Sequence, residues 1–340
     1  MIHFDLQRLP ILQRFKTDTI QLCLNFIKDV IKNSSNSKPK NLHQKLTDIE
    51  QDLYDIFCRW IFNAIHINKF DHDLFLPTGS FIIMKDIAYY LNRFNIKLED
   101  TLMSFPVHEY EHIRKRAQLM NHTPVLESVP NCSFVQLDRL KSLYQGHDID
   151  TDIAKLISRY VFLGGLNNSL STPPSVLSVF PSHELFGTPL NTCTSKFCSP
   201  FDDEAIFKSS GSFFTFKDYQ EDTIYFANPP FDDVLCTHMA EKLLRDLESK
   251  SFALVVIIPV WDTLQQQKYG LKDFNMPFDA YNLLVNSPHY NSEVFLPKNQ
   301  YPFFNYFYNK FVYISNTHMI NLGKKVDLVA LQDTWKNCKK

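Results

Sequence analysis

Four consecutive residues, Asn228-Pro229-Pro230-Phe231, have the types and the order to do chemistry. Two prolines fix φ and supply no N–H. The residue before a proline is driven to extended backbone, which holds Asn228 off the helical region. The loop is therefore stiff and presents acceptors without competing donors. The Asn228 side-chain oxygen and the Pro229 carbonyl can both accept from an exocyclic amine, and Phe231 offers a flat face to a base. In a planar amine such as adenine N6 the lone pair is delocalised into the ring. Two acceptors on its hydrogens push the nitrogen toward a tetrahedral, nucleophilic geometry that can attack a methyl sulfonium in line. Positioning and electrostatics carry such a reaction, with no strongly perturbed general base. The bland alternative is a proline turn, since Pro-Pro is common in loops.

The flanking elements favour the functional reading. A strand-like run, Thr223–Ala227, precedes the motif, and a helix, Val234 to Leu247, follows it. Leu235, Met239, Leu243, Leu244 and Leu247 form the apolar stripe of that helix. The run Phe252–Ile258 is apolar on both alternating faces, as a central parallel strand is. Strand, loop, helix and strand make a βαβ unit, whose ligands sit at the carboxyl ends of the strands. Further strands are expected at His183–Gly187, Ser212–Phe216, Tyr281–Val285 and Lys310–Ser315, with the central strand spanning Ser251–Ile258.

Residues 1–165 read as a helical domain and 166–340 as an α/β domain. Leu42, Leu46, Ile49, Leu53, Ile56, Phe57, Trp60, Ile61 and Ala64 recur at helical spacing, as do Ile82, Ile83, Ile87, Leu91 and Phe94 after Gly79-Ser80. Another helix carries Ile153, Leu156, Ile157, Tyr160 and Val161. Asp150 or Thr151 is its expected cap, and Gly164-Gly165 its expected left-handed end. Residues 33–41 form a polar loop or linker.

Composition sets the outer bounds. The chain has 340 residues, 44% of them hydrophobic, enough for a sizeable core. Only 8 are glycine, and neither a G-x-G-x-x-G nor a P-loop pattern occurs, which argues against glycine-cradled nucleotides. The formal net charge is −2 and each half is close to neutral, so there is no global nucleic-acid footprint. The longest apolar run, Phe252 to Trp261, is too short to span a bilayer, and no signal-peptide pattern opens the chain. Seven scattered cysteines fit a reduced intracellular compartment.

With the motif in place, a resemblance becomes visible. HELFGTPLNTCTSKFCSPFDD, IFKSSGSFFTF and IYFANPPF, within residues 183–231, resemble the phosphorylated-CTD-interacting-factor family, the cap-specific adenosine N6-methyltransferases. The strand ending Ile258-Pro259-Val260-Trp261 also matches. The resemblance spans roughly residues 160–262 and fades toward 320. It implies a class I, Rossmann-like S-adenosylmethionine-dependent methyltransferase sheet with an N-terminal helical domain. The implied substrate is the 2′-O-methylated first transcribed adenosine of capped mRNA. Carried over by position, Asn228, Pro229, Pro230 and Phe231 are the catalytic loop. Glu184, Pro189, Leu190 and Asn191 sit where the family binds the methyl donor, and Gly211 and Ser212 lie in a second donor-side segment. Pro189-Leu190-Asn191 also follows a short strand, which puts it at the same sheet edge, and Glu184 is suited to the donor's ammonium or ribose.

Some positions depart from the family. Val260 stands where an acidic residue is common, Ser210 where arginine is, and Thr215 where aspartate is. The WW module is lacking: it needs two tryptophans about twenty residues apart, and Trp60 is the only one before Trp261. Residence is intracellular and, by resemblance, nuclear, with the cytoplasm open. Capped RNA is the expected partner, with no membrane and no obligatory protein partner.

Other clusters have blander readings. Cys193 and Cys198, with His183 and His238, lack zinc spacing and read as buried thiols, so no metal is expected. His108, His112, Arg114, Lys115 and Arg116 share one helix and could meet phosphates, but Glu109 and Glu111 dilute them. The aromatic stretch Tyr301–Tyr313 reads as core or sheet edge. Trp261 and Tyr290 are the better base-stacking candidates, because each is expected to follow a strand at the active edge. Two rival functions remain: N-methylation of another adenine, a cytosine or a glutamine amide by the same loop, and a catalytically silent methyltransferase fold used as a scaffold.

Overall fold

The computed structural model describes residues 9–33, 106–119, 137–163, 172–230, 233–261, 279–297 and 314–338, the pairs 70–71 and 76–77, and scattered helical positions between 42 and 91. The sheet has three parallel strands, β1 (Ser182–Glu184), β2 (Ile224–Ala227) and β3 (Ala253–Trp261), followed by β4 (Tyr290–Pro297) and β5 (Ile314–Gly323). Their spatial order is β1-β2-β3-β5-β4, and β5 runs antiparallel to both of its neighbours. The long, central β3 is buried on both faces from Leu254 to Ile258, which its unbroken apolar run requires.

Each face of the sheet is covered. On one, the helix α5 (Asp233–Ser249) seats Met239, Leu243 and Leu247 against Leu254, Val256 and Ile258. Ala280 and Leu284 of α6 (Asp279–Val285) join them. On the other, Val255, Ile257 and Met319 meet Val176 and Leu177 of a single helical turn. Leu331 and Trp335 of α7 (Leu328–Lys336) complete that layer. Asp327 caps α7 by accepting from Val329 N and Ala330 N.

The helical part comprises α1 (Leu9–Asn33), α2 (Val107–Leu119), α3 (Leu137–Leu143) and α4 (Ile149–Phe162). Phe15, Cys23 and Ile27 of α1 share a core with Tyr110 and Ala117 of α2. The described part of the helix expected from Leu42, including Ile49, Leu53 and Phe57, is helical and buried. The core does not stop at residue 165. Phe201 and Phe207 belong to it, and buried Arg159 of α4 pairs with Asp203 (2.5 Å) and Glu204 (2.7 Å).

Several expectations are corrected. Ser212–Phe216 is a turn, with Thr215 N and Phe216 N both bonded back to Ser212 O; its aromatics pack without pairing. Tyr281–Val285 is helical, because Ala280 and Leu284 bury at helical spacing. Asp148, rather than Asp150 or Thr151, caps α4 by accepting from Thr151 N. The strand β5 starts at Ile314 and reaches Gly323, well past Ser315. Gly79-Ser80, Gly164-Gly165 and the stretch 301–313 lie outside the described residues.

Candidate active site

The strand β2 delivers Phe226 and Ala227 into the core and releases the chain at Asn228. The Asn228 Nδ2 donates to Thr172 Oγ1 (3.2 Å), from the segment just before the 174–177 turn. An amide so tied presents its carbonyl oxygen away from that partner. Pro229 is buried and Pro230 exposed. Cys236 of α5 donates through Sγ to Pro230 O (3.8 Å), which ties the loop to the helix behind it. Phe231 lies outside the described residues, as does the side chain of Trp261, although Trp261 ends β3 at this edge of the sheet. Nothing in the spacing of the sequence points to Thr172, 56 residues from its partner.

The adjacent strand brings Glu184. It is the register partner of Phe226, and Leu185 N donates to Phe226 O (2.8 Å). Side chains alternate along a strand, so Glu184, Phe226 and Asn228 share one face of the sheet. Glu184 Oε2 accepts from Thr192 Oγ1 (2.5 Å), Cys193 N (3.0 Å) and Thr194 Oγ1 (3.2 Å). Its other oxygen takes no hydrogen bond from the described residues. Burial pushes the Glu184 carboxyl above its ordinary range, opposed by these donors.

The loop between them is self-supporting. Asn191 Oδ1 accepts from Thr188 N (2.8 Å) and Thr188 Oγ1 (3.0 Å), so its carboxamide shapes the loop. Pro189 is buried, and Leu190 packs against the helical core. Phe197 bridges Glu184 to Ser209, and Gly211 follows with φ +80°. Gly211 N donates to Ser209 Oγ (3.1 Å), and a Cβ there would meet nothing within 4 Å. Ser212 Oγ accepts from Phe214 N (3.3 Å), a local turn contact. Of the departing residues, Ser210 and Thr215 are exposed.

Tyr290 is not brought to the site. It pairs with Leu322, which pairs with Leu254, so it stands at the amino end of the parallel strands, level with Tyr225 and three strands away from it. The expectation failed because residues 279–285 are helical and Tyr290 opens β4 instead of following a strand. No group of three or more metal-ligating side chains occurs among the described residues. His183 Nε2 does lie 3.7 Å from Cys198 Sγ. Burial lowers the imidazole to about 4 and raises the thiol to about 12, as for packed neutral groups. In the basic cluster, Arg114 pairs with Glu111 and Arg116 with Asp18 of α1, which makes it a solvated helix face.

A parallel sheet with a stiff acceptor loop at its carboxyl edge and a reversed strand between β3 and β4 belongs to the Rossmann-like α/β class. Residues 140–301 match the family described as Phosphorylated CTD interacting factor 1 WW domain. The segment contains α4, β1 to β4, the Asn228 loop and one tryptophan, Trp261. The chain is also similar to human N-acetylserotonin methyltransferase, whose crystal structure is a complex with SAM. The identity is 15%, over 85% of this chain and 100% of that one, with a TM-score of 0.30. No curated protein matches the chain. Among the described residues, no helix is long and apolar enough to cross a membrane.

Proposed function

We propose that the protein is an S-adenosylmethionine-dependent methyltransferase acting on N6 of adenosine, its substrate being the 2′-O-methylated first nucleotide of capped RNA. One observation carries the reading: the Asn228-Pro229-Pro230 loop leaves a central strand at the same edge, and on the same face, as the half-open carboxylate of Glu184. The family match supports it.

The residues fit the donor. Glu184 has one oxygen held by its loop and one left for a ligand. Gly211 borders open space, with nothing within 4 Å of where a Cβ would stand. Bound there, S-adenosylmethionine supplies an electrophilic methyl group on sulfur. The chain's own work is to hold the acceptor. Asn228 Oδ1 and the Pro229 carbonyl take the two amine protons as hydrogen bonds, and the nitrogen lone pair turns out of the ring plane. Thr172 keeps the Asn228 amide from rotating. Phe231 stacks on the adenine, and Trp261 stands at the end of β3 to receive a neighbouring base. A nucleotide beside the cap is unstacked at low cost.

The test is mass spectrometry of nucleosides after incubation with donor and RNA that starts with capped 2′-O-methyladenosine. A methyl group at N6 on the capped RNA alone is expected. Equal modification of uncapped RNA removes the cap from the assignment. No product, together with no binding of S-adenosylhomocysteine at millimolar concentration, leaves a scaffold.

A further inference from the structure

The two buried-side arginines of the helical part contrast sharply. Arg159 is held by two carboxylates, Asp203 and Glu204. Arg139, on α3, has no carboxylate within ion-pair distance among the described residues. Its Nη2 donates to Thr194 O (3.1 Å), and its Nε is buried with no hydrogen-bond partner among them. A guanidinium has five N–H donors in a planar fork and stays charged. The residue is only half-buried, so its terminal nitrogens can reach a ligand, while the buried Nε–H without an acceptor carries a cost.

The surroundings specify that ligand. Thr194, whose carbonyl holds Arg139, donates through Oγ1 to Glu184 Oε2 (3.2 Å). Cys193, between them in the same turn, gives its N–H to that oxygen (3.0 Å). Burial pushes its thiol up to about 11, with Glu184 adding to the rise and Arg139 opposing it. A cation and an anion thus flank one turn, Thr192–Thr194, without forming an ion pair with each other. A phosphate drawn to Arg139 would be repelled by Glu184, and a plain amine drawn to Glu184 would be repelled by Arg139. A zwitterion satisfies both.

We propose that Arg139 and Glu184 together bind an α-amino-acid group, its carboxylate on the Arg139 guanidinium and its ammonium on the free oxygen of Glu184. This rests on the methyltransferase reading and fixes which end of the donor lies here: the methionyl end, held in part by the helical domain. Arg–carboxylate contacts are two-pronged and charge-assisted, which makes them selective for this group.

Calorimetry on the full chain tests it with two ligands. S-Adenosylhomocysteine carries the amino-acid group, and 5′-methylthioadenosine lacks it. Arg139→Met and Glu184→Gln are each expected to weaken S-adenosylhomocysteine at least tenfold and to leave 5′-methylthioadenosine within twofold. Arg139→Lys is expected to fall between. Unchanged S-adenosylhomocysteine affinity in these variants overturns the proposal, as does equal loss of both ligands. Weakened RNA binding with donor affinity intact overturns it too, and hands Arg139 to the substrate. A variant-free arm covers misfolding: the wild-type chain must bind decarboxylated S-adenosylhomocysteine at least tenfold more weakly than the parent compound. Failure of the underlying reading looks different, because the wild-type chain then binds none of the three nucleosides.

Discussion

Glu184 and Asn228 stand on the same face of two neighbouring parallel strands, with Glu184 level with Phe226, two residues before Asn228. Strand spacing of about 4.8 Å and a rise of about 3.3 Å per residue put their Cα atoms about 8 Å apart. A carboxylate and a carboxamide thus stand close enough to line one site at the carboxyl edge of the sheet. Four expectations follow from the way these and other residues are held.

On the function proposed, Asn228→Ala removes one of the two acceptors for the amine. By comparison with the loss of a single oxyanion-hole donor, turnover falls about a hundredfold or more. S-Adenosylhomocysteine affinity stays within a few-fold, because the residue faces the acceptor. Single-turnover assays with parallel calorimetry measure both. Retained turnover would falsify the role assigned to the loop.

Thr172→Val keeps the shape and deletes the partner of Asn228 Nδ2. The amide loses that anchor, and kcat is expected to drop about fivefold, the worth of one hydrogen bond of about 1 kcal/mol. Donor KM should not move. A shift in KM at constant kcat would mean that Thr172 serves the loop only as packing.

His183 provides a pH signature. Burial holds its imidazole at about 4, so the folded state keeps it neutral while the unfolded chain takes up a proton near 6.5. Between those values the unfolded state binds more protons. Stability therefore rises with pH from 4 to 6.5 and is lost on acidification, by roughly 3 kcal/mol at the acid end. His183→Phe, in its aromatic setting between Phe216 and Tyr225, should flatten that slope in urea melts. An unchanged slope would assign the acid sensitivity to other groups.

Two glycines with positive φ should respond differently to alanine. At Gly323 (φ +71°) a Cβ would sit 2.2 Å from Phe252 O and 2.8 Å from Leu247 Cδ2. Backbone cannot yield there as a side-chain tip does, so Gly323→Ala should cost several kcal/mol, on the order of the larger core mutations. Gly211→Ala meets no neighbour and should cost only the left-handed backbone term, about 1 kcal/mol. Comparable losses at both positions, measured by denaturant midpoint, would contradict the packing described.

The stiff Asn228-Pro229-Pro230 turn after a strand was legible because proline acts on its own residue and the one before it, and the central strand because Phe252–Ile258 is apolar for a reason visible in one dimension. Ser212–Phe216 and Tyr281–Val285 misled for a shared reason. Aromatic and β-branched content favours strands on average, yet here one segment is turned by Gly211 and the other buries Ala280 and Leu284 as a helix. Tyr290–Pro297 went unnoticed because its first residues, Tyr290, Asn291, Ser292 and Glu293, are mostly polar, as an edge strand permits.

What the sequence determined by itself was local: a stiff acceptor-rich tip between a strand and a helix, a βαβ unit around it, and helices before it. Only the tertiary structure decided that Glu184 lies level with Phe226, that Thr172 holds Asn228, that Arg139 faces the Glu184 loop, and that Tyr290 stands at the far edge. Those facts depend on strand register and on contacts between residues about fifty positions apart. Chain connectivity leaves such pairings open until the core closes and only one arrangement buries its apolar faces.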